Sequence, residues 1–204
     1  MHIKTIVFDI GNVLISFRPE VFHRERGVSE EKTAIYLNDI YHGLEWQMID
    51  RGVMTIPEAI RSIAGRSSLS TQEIAGIFTL LEEILFPLSE NGKLLKPLKK
   101  AGFRLYYLSN FAEEMFARVF RKNDFFSHFN GGILSASVKM LKPEPEIYHE
   151  LIRKYDIIPA ETLFIDDLPA NIEAAGAEGF QTLYLPDHTR LREELLRVLP
   201  GAEL

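Results

Sequence analysis

The chain's 204 residues are 46% hydrophobic and 25% charged, carry a formal net charge of −6, and include no cysteine. That composition suits one buried core, or a core with a small satellite. It excludes disulfides, thiolate metal sites and cysteine nucleophiles, and a mildly acidic chain without a basic cluster is a poor match for nucleic acid or an anionic membrane.

The chain opens MHIKTIVFDIGNVLI, an apolar run interrupted by Asp9. A secretory signal needs a longer apolar stretch and a small-residue cleavage site. No stretch approaches the ~20 apolar residues of a membrane span, so a cytoplasmic location is expected. Five short apolar runs predict buried strands: Ile3–Ile10, Phe103–Ser109, Gly132–Ser135, Thr162–Asp166 and Gln181–Leu185. Most are continuously apolar, the pattern of parallel strands covered on both faces. Helical spacing fills the gaps at Glu113–Arg121, Pro145–Tyr155 and Asn171–Gly179, and Pro97 reads as the first turn of a helix near Lys93–Lys100. Strand alternating with helix predicts an α/β fold, a Rossmann-like doubly wound parallel sheet.

About 90 residues separate the first two strands, far more than one crossover helix needs. Arg18 to Pro87 has helical spacing around Tyr36–Trp46, Ile56–Ile63 and Ile74–Leu85, and Ser70 with Glu73 forms a capping-box signature. The expected organisation is a core of residues 1–15 and 89–204 with an all-helical cap at 16–88. Hinges are expected near Ile15–Pro19 and Phe86–Glu90.

In open α/β sheets ligands bind outside the carboxyl ends of the strands, and polar residues gather there. Asp9 ends the first strand, Ser109 and Asn110 the second, and Asp166 and Asp167 the fourth, while Lys142 follows the third. Three carboxylates brought together repel unless a cation joins them. An oxygen-only set with few protein donors suits Mg²⁺. Ser109, Asn110, Lys142 and the backbone N–H groups after Asp9 are donors suited to phosphate. One carboxylate can then attack phosphorus in line while Mg²⁺ and Lys142 neutralise the dianion.

The segments FDIGNVL, LSN, SASVKMLKPEPEIY and FIDDLPANIEAA, in this order, resemble the four motifs of the haloacid-dehalogenase superfamily, and the Arg18–Pro87 insertion resembles its helical cap. The resemblance implies a phosphatase with Asp9 as nucleophile and metal ligand, and the Gly11 carbonyl as a second ligand. It makes Asp167 the main acidic ligand and Asp166 either a ligand or a support behind the ligands. Ser109, Asn110 and Lys142 would hold the phosphate, and Asn171 would orient waters or Asp167. The family's phosphatases usually carry an acid/base Asp two positions after the nucleophile, where this chain has Gly11. The DxGNV form resembles glucose-1-phosphatase-like enzymes, which makes a sugar phosphate the favoured substrate. A catalytically silent phosphometabolite-binding protein, and another hydrolase reaction on the same scaffold, are the alternatives. In GLEWQMIDRG, Glu45, Trp46 and Arg51 are candidates to face the substrate, set against a core Trp and a surface ion pair. Arg18 and His23 are either within substrate reach or solvated. The expected partner is a small phosphorylated metabolite, with no nucleic acid and no membrane, and the expected state is a monomer or weak homodimer.

Overall fold

The computed structural model describes residues 3–202; residues 1–2 and 203–204 of the expected core lie outside them. The chain begins with β1 (Thr5–Phe8), every residue of it buried. A tight loop follows, and β2 (Ile15–Ser16) leads into the helices α1 (Pro19–Glu25), α2 (Glu30–Tyr36), α3 (Leu44–Asp50), α4 (Ile56–Ala64), α5 (Thr71–Thr79) and α6 (Leu81–Ile84). The chain returns through β3 (Phe86–Pro87), which pairs antiparallel with β2. Both expected hinge segments therefore meet in one short ribbon, and its Ile15 and Ser16 are buried.

Beyond the ribbon come α7 (Ser89–Lys100), β4 (Arg104–Ser109), α8 (Glu113–Lys122), β5 (Gly131–Leu134), α9 (Ser135–Val138) and α10 (Pro145–Tyr155). The chain closes with β6 (Thr162–Asp166), α11 (Pro169–Ala177), β7 (Gln181–Tyr184) and α12 (Leu191–Val198). All five long strands are parallel, in the order β5-β4-β1-β6-β7. Side chains alternate across the sheet, and both faces are covered. Ile6 and Phe8 pack with Leu95, Leu98, Leu191 and Leu195, from α7 and α12. Val7 packs with Tyr148, Leu151 and Ala175, from α10 and α11. Burial on two faces is why these strands read as unbroken apolar runs.

Three sequence expectations are corrected. Tyr36–Trp46 is not one helix: a π-turn at Leu37–Tyr41 ends α2, and α3 starts after Gly43. A Cβ on Gly43 would lie 2.9 Å from the Asp39 carbonyl, so only glycine fits that corner. The segment Ile74–Leu85 likewise divides into α5 and α6. Pro97 sits inside α7 rather than in its first turn. An internal proline costs ~3 kcal/mol, and burial of Leu94, Leu95 and Leu98, at ~1.5–3 kcal/mol each, offsets it. The Ser70–Glu73 capping box forms as expected, and Thr55–Glu58 forms a second.

The helices between β2 and β3 share one apolar cluster with the sheet side. Ile40, Ile49, Ile63, Phe78 and Leu81 pack together with Ile10, Phe111, Met115 and Phe126. Among the described residues no helix is long and apolar enough to cross a membrane.

Candidate active site

The order of strands reverses at β1: the chain moves outward through β4 and β5, then returns to the other side through β6 and β7. Connections on the two sides diverge, which opens a crevice at the carboxyl ends of β1 and its neighbours. Asp9 emerges there, its N–H donating to the Ile165 carbonyl at 2.8 Å. This bond sets Asp9 beside Asp166, the last residue of β6. Oxygens of Asp9, Asp166 and Asp167 all lie within 4.8 Å of one another.

Lys142 enters from the loop before α10. Its Nζ stands 2.8 Å from Asp9 Oδ1 and 2.6 Å from Asp166 Oδ2, and its side chain is 1% exposed. Asn110 clasps the peptide of Lys142: Oδ1 accepts from the Lys142 N–H at 2.8 Å, and Nδ2 donates to its carbonyl at 2.9 Å. The amide expected to hold phosphate is thus engaged in placing the lysine. Ser109 is buried and is the last residue of β4.

The acidic pair divides its work. Asp166 is fully buried and saturated by protein donors. Oδ1 accepts from Leu168 N–H and Asn171 Nδ2 (both 2.9 Å), and Oδ2 from Lys142 and Asn171 (3.0 Å). The Asn171 amide therefore orients Asp166 rather than Asp167. Asp167 is half-buried and accepts from Asn12 Nδ2 at 3.1 Å. Asn12 holds a left-handed φ of 50°, which asparagine tolerates, and its Oδ1 accepts the Phe17 N–H at 2.9 Å.

Burial pushes the Asp9 carboxyl above its ordinary range against the pull of Lys142, and Asp166 and Asp167 add to the rise. Asp167 is also raised, mainly by burial and against the Asn12 hydrogen bond. Burial works against the Lys142 ammonium, but Asp166 and Asp9 more than restore it, so the lysine stays protonated. With all three carboxylates ionised, one ammonium would leave two negative charges in a buried space, which is why Asp9 and Asp167 are pushed up without a cation. Oxygen-only donors with that charge fit a small divalent cation such as Mg²⁺. Asp9 Oδ1 is taken by Lys142 and by the Ile10 N–H at 2.7 Å. Oδ2 lies on the side of Gly11, 3.8 Å from where a Cβ on that residue would sit.

Beside this cluster lies a cavity of about 110 Å³, lined by Gly11 and Asn110 on the sheet side and by Phe17, Trp46, Ile49, Asp50 and Phe78 on the other. Trp46 lines it in a ring stack, 5.4 Å from Phe17 and 6.0 Å from Phe78. The other candidates of that segment do not. Arg51 makes a two-pronged pair with Glu144 and donates to the Lys139 carbonyl, joining α3 to the loop before α10. Glu45 is buried and bound by Arg66 and Ser62 within the insertion. His23 is buried too, 3.0 Å from the Tyr41 hydroxyl, and the exposed Arg18 sits near Glu20.

Asp50 was not singled out by the sequence, although it stands one helical turn after Trp46, the spacing at which side chains meet. Burial raises its carboxyl to about 8, against hydrogen bonds from the Trp46 side chain and the Ala112 backbone. Between the ordinary 3.8 and about 8, the unfolded chain releases this proton and the folded chain keeps it. Stability from this group therefore falls as pH rises through that window, at up to ~1.4 kcal/mol per pH unit. Asp50→Asn is expected to lack this slope and to gain on wild type from pH 4 to 8 in denaturant titrations. Parallel curves for the two proteins would refute the raised Asp50 carboxyl.

Comparison with known proteins places this geometry in a family. The haloacid dehalogenase-like hydrolase family matches residues 3–179. A sesquiterpene phosphatase of Aspergillus oryzae is 28% identical over 199 residues, 96% of each chain. A phosphorylated carbohydrates phosphatase of Thermotoga maritima is 22% identical over 187 residues, 89% of this chain and 84% of that protein. Among solved structures, a haloacid-dehalogenase-family enzyme of Bacteroides thetaiotaomicron, in complex with magnesium and inorganic phosphate, superposes with a TM-score of 0.66 at 25% identity. That match covers 89% of this chain and 93% of the other. With its motifs gathered at the crevice of a doubly wound sheet, the chain belongs to the haloacid dehalogenase-like hydrolases.

Proposed function

We propose that the protein is a Mg²⁺-dependent phosphatase that hydrolyses a small organic phosphate monoester through an aspartyl-phosphate on Asp9. The observation that carries this reading is the buried cluster in which Lys142 bridges Asp9 and Asp166 while Asp167 stands open beside them. Asp9, Asp167 and the Gly11 carbonyl would hold Mg²⁺, which neutralises charge on the phosphoryl oxygens. Asp166 supports the site from behind through Lys142 and Asn171. Ser109 and Lys142 hold the phosphate.

Asp9 attacks phosphorus, and the ester oxygen departs with the bonding pair, taking a proton from water. A second water attacks the phosphorus of the acyl phosphate, releasing phosphate and regenerating the carboxylate. Residues 16–88 act as a cap over the core of residues 1–15 and 89–204 and exclude bulk water. The substrate is a small phosphorylated metabolite, met in the cytoplasm without nucleic acid or membrane, by a monomer or weak homodimer.

Gly11 favours the rival reading, a silent phosphate-binding protein, because no carboxylate stands where the acid/base is usual. General acid/base catalysis is worth ~10²–10⁴-fold, a deficit in rate that leaves nucleophile and electrostatics intact. The similar phosphatases differ in the substrates their names give, sesquiterpene against carbohydrate. A sugar phosphate rests on the DxGNV resemblance.

Turnover is expected to cease in excess EDTA and return with Mg²⁺, and Ca²⁺ should inhibit because its looser, higher coordination misplaces the nucleophile. Asp167→Ala should raise the Mg²⁺ concentration for half-activity by at least ~10-fold. Undiminished hydrolysis in EDTA would overturn the metal assignment.

A further inference from the structure

The cavity beside Gly11 is apolar to a degree that bears on the substrate. Phe17, Trp46, Ile49, Phe78, Leu81 and Met115 contribute to its wall. Trp46 stacks with Phe17 and with Phe78, at interplanar angles of 25° and 16°. Sugar hydroxyls enclosed there would each leave water for a wall with few partners, at ~1–3 kcal/mol per unsatisfied group. The wall's polar side chains are two. Asn110 is engaged with Lys142. Asp50 already accepts from the Trp46 side chain and the Ala112 backbone.

Gly11 adds a second, independent observation. Its backbone is not in the left-handed region, and a Cβ there would touch only Asp9 Oδ2, at 3.8 Å. Neither conformation nor packing requires glycine. A side chain at this position would project where the cavity meets the phosphate site, and its absence leaves that junction open and uncharged.

We propose that this cavity receives the leaving group of the substrate, and that the substrate is the phosphate monoester of an apolar alcohol. An apolar cavity of ~150 Å³ accepts benzene, so about 110 Å³ suits a branched unit of roughly five carbons or the edge of an aromatic ring. The assignment rests on the phosphatase reading and deepens it.

The test is a comparison of kcat/KM with Mg²⁺ across alkyl, prenyl and phenyl phosphates, glucose 1-phosphate, ribitol 5-phosphate and acetyl phosphate. The apolar esters are expected to lead the sugar phosphates by at least tenfold, with a gain of about fourfold per buried methylene until the cavity is full. Five-carbon alcohols should inhibit competitively where glucose does not. Phe78→Asn should lower the apolar-to-sugar ratio at least tenfold; the substrate panel and the alcohol inhibition on wild type stand whether or not that variant folds. Sugar phosphates hydrolysed as well as or better than the apolar esters would overturn the apolar subsite alone. No turnover of any compound, acetyl phosphate included, would overturn the phosphatase reading and the subsite with it.

Discussion

Asp9→Asn is expected to abolish turnover, lowering kcat on the order of 10⁴–10⁶-fold, the scale on which loss of a nucleophile is felt, without unfolding the protein. The amide has nearly the shape of the carboxylate but is a poor nucleophile. Its effect on stability follows from the charge count. Asp9 is raised by burial and by the neighbouring Asp166 and Asp167, so its ionised form is held at a cost when no divalent cation is present. The substitution takes the fully ionised cluster from two excess negative charges to one and removes the carboxyl that ionises at a cost. Lys142 keeps its 2.6 Å partner in Asp166. Thermal melts in EDTA should therefore show an unchanged or higher midpoint. An Asp9→Asn protein, free of wild type, with activity within tenfold of normal would remove Asp9 from the mechanism.

Lys142→Ala is expected to fail in a different way. It removes the ammonium that faces both Asp9 and Asp166, leaving three clustered carboxylates without a cation. Breaking a buried pair by deleting one partner costs ~3–5 kcal/mol, so the urea midpoint in EDTA should fall clearly below that of Asp9→Asn. Mg²⁺ should recover part of the loss, as should a lower pH, because protonation of the carboxylates then relieves their repulsion. Catalysis should drop by at least ~10²–10³-fold, the typical effect of losing one preorganised donor to the transition state. A Lys142→Ala protein as stable as Asp9→Asn in EDTA would contradict the bridging role that its two contacts assign.

Most of the polar cluster at the carboxyl edge was legible because Asp9, Ser109, Asp166 and Asp167 close strands whose apolar pattern is unmistakable. Burial on both faces of a parallel sheet leaves runs such as those through β1 and β6, and a carboxylate directly after such a run stands out. What the runs cannot encode is how side chains divide hydrogen bonds. The fully buried Asp166 and the half-buried Asp167 are adjacent in sequence and chemically identical. Only the fold delivers Lys142, Asn171 and the Leu168 N–H to the first, leaving the second beside Asn12. Asn110 looked like a phosphate donor for the same reason; its partner lies 32 positions along the chain.

The insertion was legible as helices and opaque as a surface. Periodicity finds an apolar stripe but does not say whether the stripe meets a neighbour or borders a cavity, since both demand the same residues. Trp46 and Arg51 stand five positions apart in one segment, yet one lines the cavity and the other joins α3 to Glu144. By itself the sequence determined the doubly wound parallel sheet, the order of polar residues at its carboxyl edge and the long helical insertion, because local patterning and strand alternation impose them. Only the tertiary structure decided which carboxylate stays open, which amide is occupied, and that the space beside Gly11 is walled by aromatic and aliphatic side chains. Those outcomes depend on which distant residues pack within a few ångströms of one another, and that is a property of the folded chain.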